Sequence, residues 1–225
     1  VIEKQTKTKC IFFPSWAEGG IDNNKIRYSK KLRKKKVGVT RIMFTGNIGE
    51  AQSFKTLIMS AKILKSKKKI EWILVGDGRF KSKLKKLIKF NKLENEFNLL
   101  DPVPLKSIKS LFNHADALYL SLKNNKTYKK TIPGKLSTYM SSEKPIIASI
   151  SGEAKKIILM SKCGLVSEAE NFSELANNVI KFTNLNSKQK RQLGINGKNF
   201  CKKNYNKKTI LNNLKKDLEN IVEKK

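Results

Sequence analysis

The chain is short of cysteine, histidine, acidic residues and long apolar runs, and each shortage removes a class of function. Three cysteines, Cys10, Cys163 and Cys201, are an odd number without metal-ligand spacing. A disulfide framework and a zinc site are therefore not expected, and the thiols read as free in a reducing compartment. The single histidine, His114, falls at the end of a predicted helix, where a capping or surface role outweighs a catalytic one. No apolar run approaches the roughly 20 residues that a membrane-spanning helix needs, and no charged-then-apolar leader opens the sequence. The first residue is Val1 rather than Met, so the chain is expected to begin inside a longer gene product.

Asp and Glu total 18 against 49 Lys and Arg, a formal net charge of +31. Such an imbalance fits a polyanionic partner, nucleic acid or an acidic membrane. It also fits a composition biased toward Lys and Asn, because the lysines are spread over the whole chain, as in KSKLKKLIKF at 81–90. Nucleic-acid readers favour Arg with interleaved aromatics. Here aromatics are 8% and fall in core patterns, so no specific nucleic-acid binding is expected. Hydrophobic residues make up 39% of 225; they are clustered enough to build the core of one domain with appendages.

Residues 9–13, KCIFF, read as a short strand ended by Pro14. The turn-rich stretch that follows and the basic run RYSKKLRKKK make residues 1–39 a linker or the end of a preceding domain. From residue 40 the pattern turns regular. RIMFTG, IEWILVG, EFNLL, DALYLSL, KPIIAS and GLVS read as strands. Between them lie amphipathic helices, such as EAQSFKTLIMSAKILKS with Phe54, Leu57, Ile58, Ala61 and Leu64 on one face. KNNKTYKKT reads as a polar loop, and PGKLSTYMSSE as a helix with Pro133 near its first turn. Three helical stretches close the chain, the last over 205–225. Strands alternating with helices imply right-handed crossovers and a doubly wound, parallel α/β sheet over 40–204. Such sheets bind ligands outside the carboxyl ends of their strands.

Five loops follow those strand ends. In GNIG, Gly46 and Gly49 flank Asn47 and leave bare backbone before a helix, which suits either a phosphate or a tight turn. In VGDGR, Asp77 stands between Gly76 and Gly78, placed to bind a ligand hydroxyl or to cap the next helix. In DPVP, Pro102 stiffens a loop that could face a flat base. In TIPGKLSTYM, Lys135 lies in the first turn of a helix, where the dipole already supplies positive charge. A phosphate would neutralise both; a solvated lysine is the alternative. In SGE, Gly152 and Glu153 lie between strand and helix, where Glu153 either complements the helix end or holds a sugar hydroxyl.

In this order, FTGNIGEAQ, WILVGDGR, ADALYLSL, IPGKLSTYM…KPIIASISGE and CGLV resemble the C-terminal, donor-binding half of a GT-B retaining glycosyltransferase. The resemblance is to glycosyltransferase family 4, and the motifs look most like its branch of bacterial polysaccharide or O-antigen assembly. KCIFFPSWAE is similar to the stretch leading out of the N-terminal half into the hinge. The resemblance implies a UDP-sugar donor as substrate, with no metal and no cofactor. It places the diphosphate against Gly46–Gly49 and near Lys135, and the base along the loop at Pro102. Lys135 would stabilise the departing diphosphate, and Glu153 with Gly152 would face the donor sugar. Two glutamates that many members carry eight positions apart are replaced by Lys130 and Thr138, so ribose recognition falls to Thr138 or to another group. Where members often carry Arg or Lys after the first glycine loop, this chain has Gln52, with Lys55 one turn further on.

The expected activity is sugar transfer to a saccharide acceptor, lipid-linked, in the cytoplasm or peripherally at the inner face of the membrane. The half that binds the acceptor is expected to lie outside this chain, as in a fragment or a separately encoded half, so the chain is expected to bind donor without efficient transfer. Two other readings remain at this point: a nucleotide or nucleotide-sugar binding module without catalysis, and a basic nucleic-acid-binding protein.

Overall fold

The computed structural model describes residues 10–11, 13–17 and 32–222. Expectations for 1–9, 12, 18–31 and 223–225 lie outside the described residues. The strands are β1 (Thr40–Thr45), β2 (Ile70–Val75), β3 (Phe97–Leu100), β4 (Ala117–Ser121), β5 (Ile146–Ser149) and β6 (Gly164–Ser167). They form one sheet in the order β3-β2-β1-β4-β5-β6, with every pairing parallel. The helices are α1 (Phe54–Leu64), α2 (Lys81–Phe90), α3 (Leu105–Phe112), α4 (Lys126–Lys129), α5 (Gly134–Ser141), α6 (Glu153–Ser161), α7 (Phe172–Asn184), α8 (Ser187–Asn204) and α9 (Lys207–Val222). This is the doubly wound α/β fold that the alternation predicts. None of the helices described is long and apolar enough to cross a membrane.

Successive strand side chains point to opposite faces, and the two faces of β1 show it. Ile42 and Phe44 pack with Trp72, Leu74, Tyr119 and the buried sides of α1, α2 and α7. Met43 packs with Ile73, Leu118, Leu120 and with Tyr139, Met140, Ile158 and Cys201 on the other side. All six residues of β2 are buried, as expected of a central strand covered on both faces. Its one charge, Glu71, stands in register beside Arg41 of β1 and accepts from its Nε at 2.6 Å. All five residues predicted on the inner face of α1 are buried.

Four details differ from the sequence reading. Cys10, Ile11 and Phe13 form no strand. Ile11, Phe13 and Pro14 line an open groove of about 500 Å³ with Phe200, Tyr205, Ile210 and Leu214, and Ile11 and Phe13 are left exposed. The helix expected from Glu50 is broken: a single tight turn, Glu50–Gln52, ends at Ser53, whose φ of 45° cannot belong to a helix, and α1 follows. The loop KNNKTYKKT contains α4, started by Asn125, whose side chain accepts from the N–H of Tyr128. Pro133 precedes α5 rather than lying within it.

The order of strands reverses between β1 and β4. Chain leaving β1 crosses toward β2 on one side, and chain leaving β4 crosses toward β5 on the other. The loops therefore part at that point and leave a crevice at the carboxyl edge. The residues after β1 and at the start of α5 border it.

Candidate functional site

The loops after β1 and β2 are packed on one another. The Gly46 N–H donates to Val75 O at 2.9 Å, the Ile48 N–H to Asp77 O at 2.7 Å and the Phe80 N–H to Ile48 O at 3.0 Å. A Cβ on Gly76, at φ +146°, would lie 1.9 Å from Gly46 O, and one on Gly78 would lie 2.4 Å from Ile48 O. Backbone contact thus accounts for Gly76 and Gly78 without a ligand. Asn47 is exposed, and its Nδ2 would lie 2.9 Å from a Cβ on Gly49. Asp77 accepts from the Gly78 N–H at 2.8 Å and lies 3.7 Å from Lys81 Nζ. It does not cap α2, which begins at Lys81 without a side-chain cap.

Lys135 comes to this pair of loops from the other side of the crevice. Tyr139 holds α5 there: its hydroxyl accepts from the Thr45 N–H, at the end of β1, at 2.9 Å. One turn earlier on α5, Lys135 Nζ lies over the Phe44 ring, 4.0 Å from its centroid, and 3.3 Å from where a Gly46 Cβ would be. The ammonium is buried with no hydrogen-bond partner among the described residues. Burial lowers its pKa from 10.5 to about 8. A buried cation paired only with a π face is costly unless an anion completes its shell. The backbone beside it is bare at Gly46, and the first N–H groups of α5 have no side-chain cap. Together they form a positive corner that suits a phosphate.

The remaining residues singled out by sequence divide into those near this corner and those bound elsewhere. Thr138 lies one turn beyond Lys135 on α5 and is half-buried. The Gln52 carbonyl accepts from Ser121 Oγ at 2.6 Å, tying the turn to the end of β4. Its side-chain Oε1 is buried without a hydrogen-bond partner among the described residues. Lys55 is exposed at the start of α1, and Pro102 is exposed after β3. Gly152 has φ +75°, and a Cβ there would lie 1.8 Å from Lys129 O, so this turn is bare in order to pack against the end of α4. Glu153 is exposed, with its carboxylate 2.7 Å from Lys156 Nζ. The contacts of Gly152 and Glu153 are thus with Lys129 and Lys156, not with the corner at Gly46 and Lys135. His114 follows α3 at the opposite, amino edge of the sheet. Its pKa is lowered by burial and then by Arg41 and Lys144. No group of three or more His, Cys, Asp or Glu among the described residues is placed to hold a metal ion.

Sequence reasoning missed Tyr139, which fixes Lys135 in place. The only signal was a polar hydroxyl four residues on from Lys135, on the same face of the helix. It also missed Ser121 and the pairs Lys123–Glu50, at 2.9 Å, and Ser53–Glu170, at 3.1 Å. These link loops far apart in sequence.

The sequence matches the family model for glycosyl transferases group 1 over residues 25–200. No curated protein sequence matches it significantly. Several solved structures share the fold. A TarM variant from S. aureus, in complex with fondaparinux, alpha-GlcNAc-glycerol and UDP, is similar with a TM-score of 0.68 at 14% identity, over 94% of this chain and 40% of that one. HepE from Anabaena, in complex with UDP and glucose, gives 0.68 at 18%, over 81% of this chain and 48% of that one. The C-terminal domain of LpcC, a glycosyl transferase group 1 family protein from Francisella tularensis, gives 0.61 at 18%, over 75% and 87%. The chain therefore spans less than half the length of TarM and of HepE, and its architecture is that of a Rossmann-like half of a GT-B glycosyltransferase. Matched over most of its length, the chain belongs to the family of group 1 glycosyl transferases.

Proposed function

We propose that the chain is the donor-binding half of a family 4 glycosyltransferase and that its donor is a UDP-sugar. The observation that carries this reading is the ammonium of Lys135, buried with no hydrogen-bond partner among the described residues, beside the bare backbone of Gly46. The diphosphate lies between the Gly46–Gly49 turn and the start of α5, with Lys135 as its cation. The ribose lies toward Thr138, and the base toward the loop at Pro102. Gln52 stands where a charged diphosphate contact would otherwise be, and its amide can donate to a phosphate oxygen. Transfer breaks the bond between the sugar C1 and the diphosphate oxygen and forms one from C1 to an acceptor hydroxyl oxygen, releasing UDP and a proton. Lys135 meets the charge that grows on the departing diphosphate, an electrostatic role that such reactions reward. The donor is the only small molecule assigned, and neither metal nor cofactor is part of the proposal.

The acceptor is a saccharide carried on a lipid, in cell-surface polysaccharide or O-antigen assembly. The chain acts in the cytoplasm, and the net charge of +31 favours contact with anionic lipid at the inner face of the membrane. Acceptor binding and efficient transfer belong to a second, N-terminal half. Glu153, given its pairing with Lys156, reaches a donor sugar only by leaving that surface pair, a small cost. Glu153→Gln is therefore expected to leave UDP binding unchanged and to alter binding of UDP-sugars.

Calorimetric titration of UDP and GDP into the chain, beside Lys135→Ala, tests the proposal. Saturable UDP binding that weakens in the variant supports it. A folded protein that binds neither nucleotide refutes it, and salt-steep oligonucleotide binding indifferent to UDP would replace it with the nucleic-acid reading.

A further inference from the structure

Two residues at the carboxyl edge hold left-handed backbone without being glycine, and they are bonded to each other. Ser53, between the Glu50–Gln52 turn and α1, has φ 45°, and Glu170, between β6 and α7, has φ 67°. Side chains are strained in that region, and such strain persists where the surroundings impose it. Ser53 Oγ donates to Glu170 Oε1 at 3.1 Å, and Thr56 Oγ1 lies 3.0 Å from the same serine oxygen. The other carboxylate oxygen, Oε2, accepts from the backbone N–H of Asn124 at 3.1 Å. One carboxylate thus joins the loops after β1, β4 and β6, on both sides of the crevice. Lys123 reinforces the junction: its Nζ meets Glu50 at 2.9 Å and its N–H donates to Ala51 O at 2.8 Å. A cleft of about 310 Å³ opens between Glu50, Lys123 and Glu170 over Phe54 and Phe80.

Helix capping does not explain either side chain. Ser53 makes no side-chain bond to the N–H groups of α1, and α7 is capped by Asn171. Glycine would satisfy the backbone at 170 without strain. A carboxylate there costs strain and returns only the bonds it makes to the neighbouring loops.

We infer that Glu170, acting through Ser53 and the Asn124 N–H, is a positioning residue for the donor site. It fixes the turn at 50–53, and with it Gln52 and the Gly46–Gly49 backbone, in the arrangement that receives the diphosphate. This rests on the donor reading above. The variants Glu170→Gly, Glu170→Gln and Ser53→Gly separate positioning from mere stability, because both glycine substitutions relieve backbone strain while they remove the clasp.

The experiment combines thermal melting, amide hydrogen exchange and UDP titration on this chain. Glu170→Gly should melt within about 2 °C of the parent or above it. Exchange over 46–56 should rise several-fold with the rest of the sheet unchanged. The Kd for UDP should rise about three- to tenfold, as for the loss of a hydrogen bond. Ser53→Gly should act alike, the double variant should be no worse than either single one, and Glu170→Gln should fall between. Unchanged exchange and UDP affinity in both glycine variants would overturn the inference while leaving the donor reading intact. A uniform fall in melting temperature with a uniform rise in exchange would overturn it in favour of a structural role. Faster local exchange in a chain whose parent form binds no UDP would mean that the clasp exists but serves no donor site, and both readings would fall together.

Discussion

Lys135→Met separates what this lysine does for folding from what it does for a ligand. In the folded protein its pKa falls from 10.5 to about 8 through burial, and each pH unit between the two is worth about 1.36 kcal/mol. Keeping the ammonium charged at pH 7 therefore costs on the order of 3 kcal/mol relative to water. The Phe44 ring, 4.0 Å from Nζ, returns about 1–2 kcal/mol of that. Methionine keeps the apolar stem over the ring and removes the charge, so the variant should gain about 1–2 kcal/mol, or about 2–8 °C in melting temperature. The same change should weaken UDP binding about 10- to 100-fold, the usual loss for a hydrogen bond to a charged group in a partly desolvated site. Scanning calorimetry and titration on one preparation give both numbers. A lower melting temperature with unchanged UDP affinity would make Lys135 a structural cation and refute the assignment of the diphosphate to this corner.

The same pKa predicts two pH effects. Between about 8 and 10.5 the unfolded chain binds more protons than the folded one, so stability rises with pH across that window. Denaturant melts at pH 7 and pH 9.5 should show the rise in the parent and its loss in Lys135→Met. UDP affinity should fall over the same range as the ammonium is lost, and Lys135→Arg should flatten that profile in titrations. Gly76→Ala drives a Cβ to 1.9 Å from Gly46 O and should destabilise by about 2–4 kcal/mol, with loss of UDP binding, by melting and titration. Glu71→Ala leaves Arg41, 2% exposed, without its buried partner and should cost about 3–5 kcal/mol in chemical denaturation. Replacing both by leucine should recover most of it.

The sequence by itself determined the fold. Strands such as IEWILV and helices such as FKTLIMSAKIL carry their periods locally, and alternation of the two leaves a parallel sheet as the economical arrangement. It also placed the glycine turn at 46–49 after a strand and Lys135 in the first turn of a helix, since both are matters of local order along the chain. The tertiary structure decided what those residues touch. Gly76, Gly78 and Gly152 look alike in sequence to Gly46. Their contacts differ: they are bare against Gly46 O, Ile48 O and Lys129 O, whereas Gly46 faces a lysine ammonium. Asp77 and Glu153 were legible as acidic residues at strand ends, but their partners, the Gly78 N–H and Lys156 Nζ, were not. Tyr139 and Glu170 gave almost no local signal. Their bonds reach Thr45, 94 positions away, and Ser53, 117 positions away. Local propensity carries no information about such separations; they are fixed only when crossovers bring strand ends to one edge and burial selects which polar groups must meet.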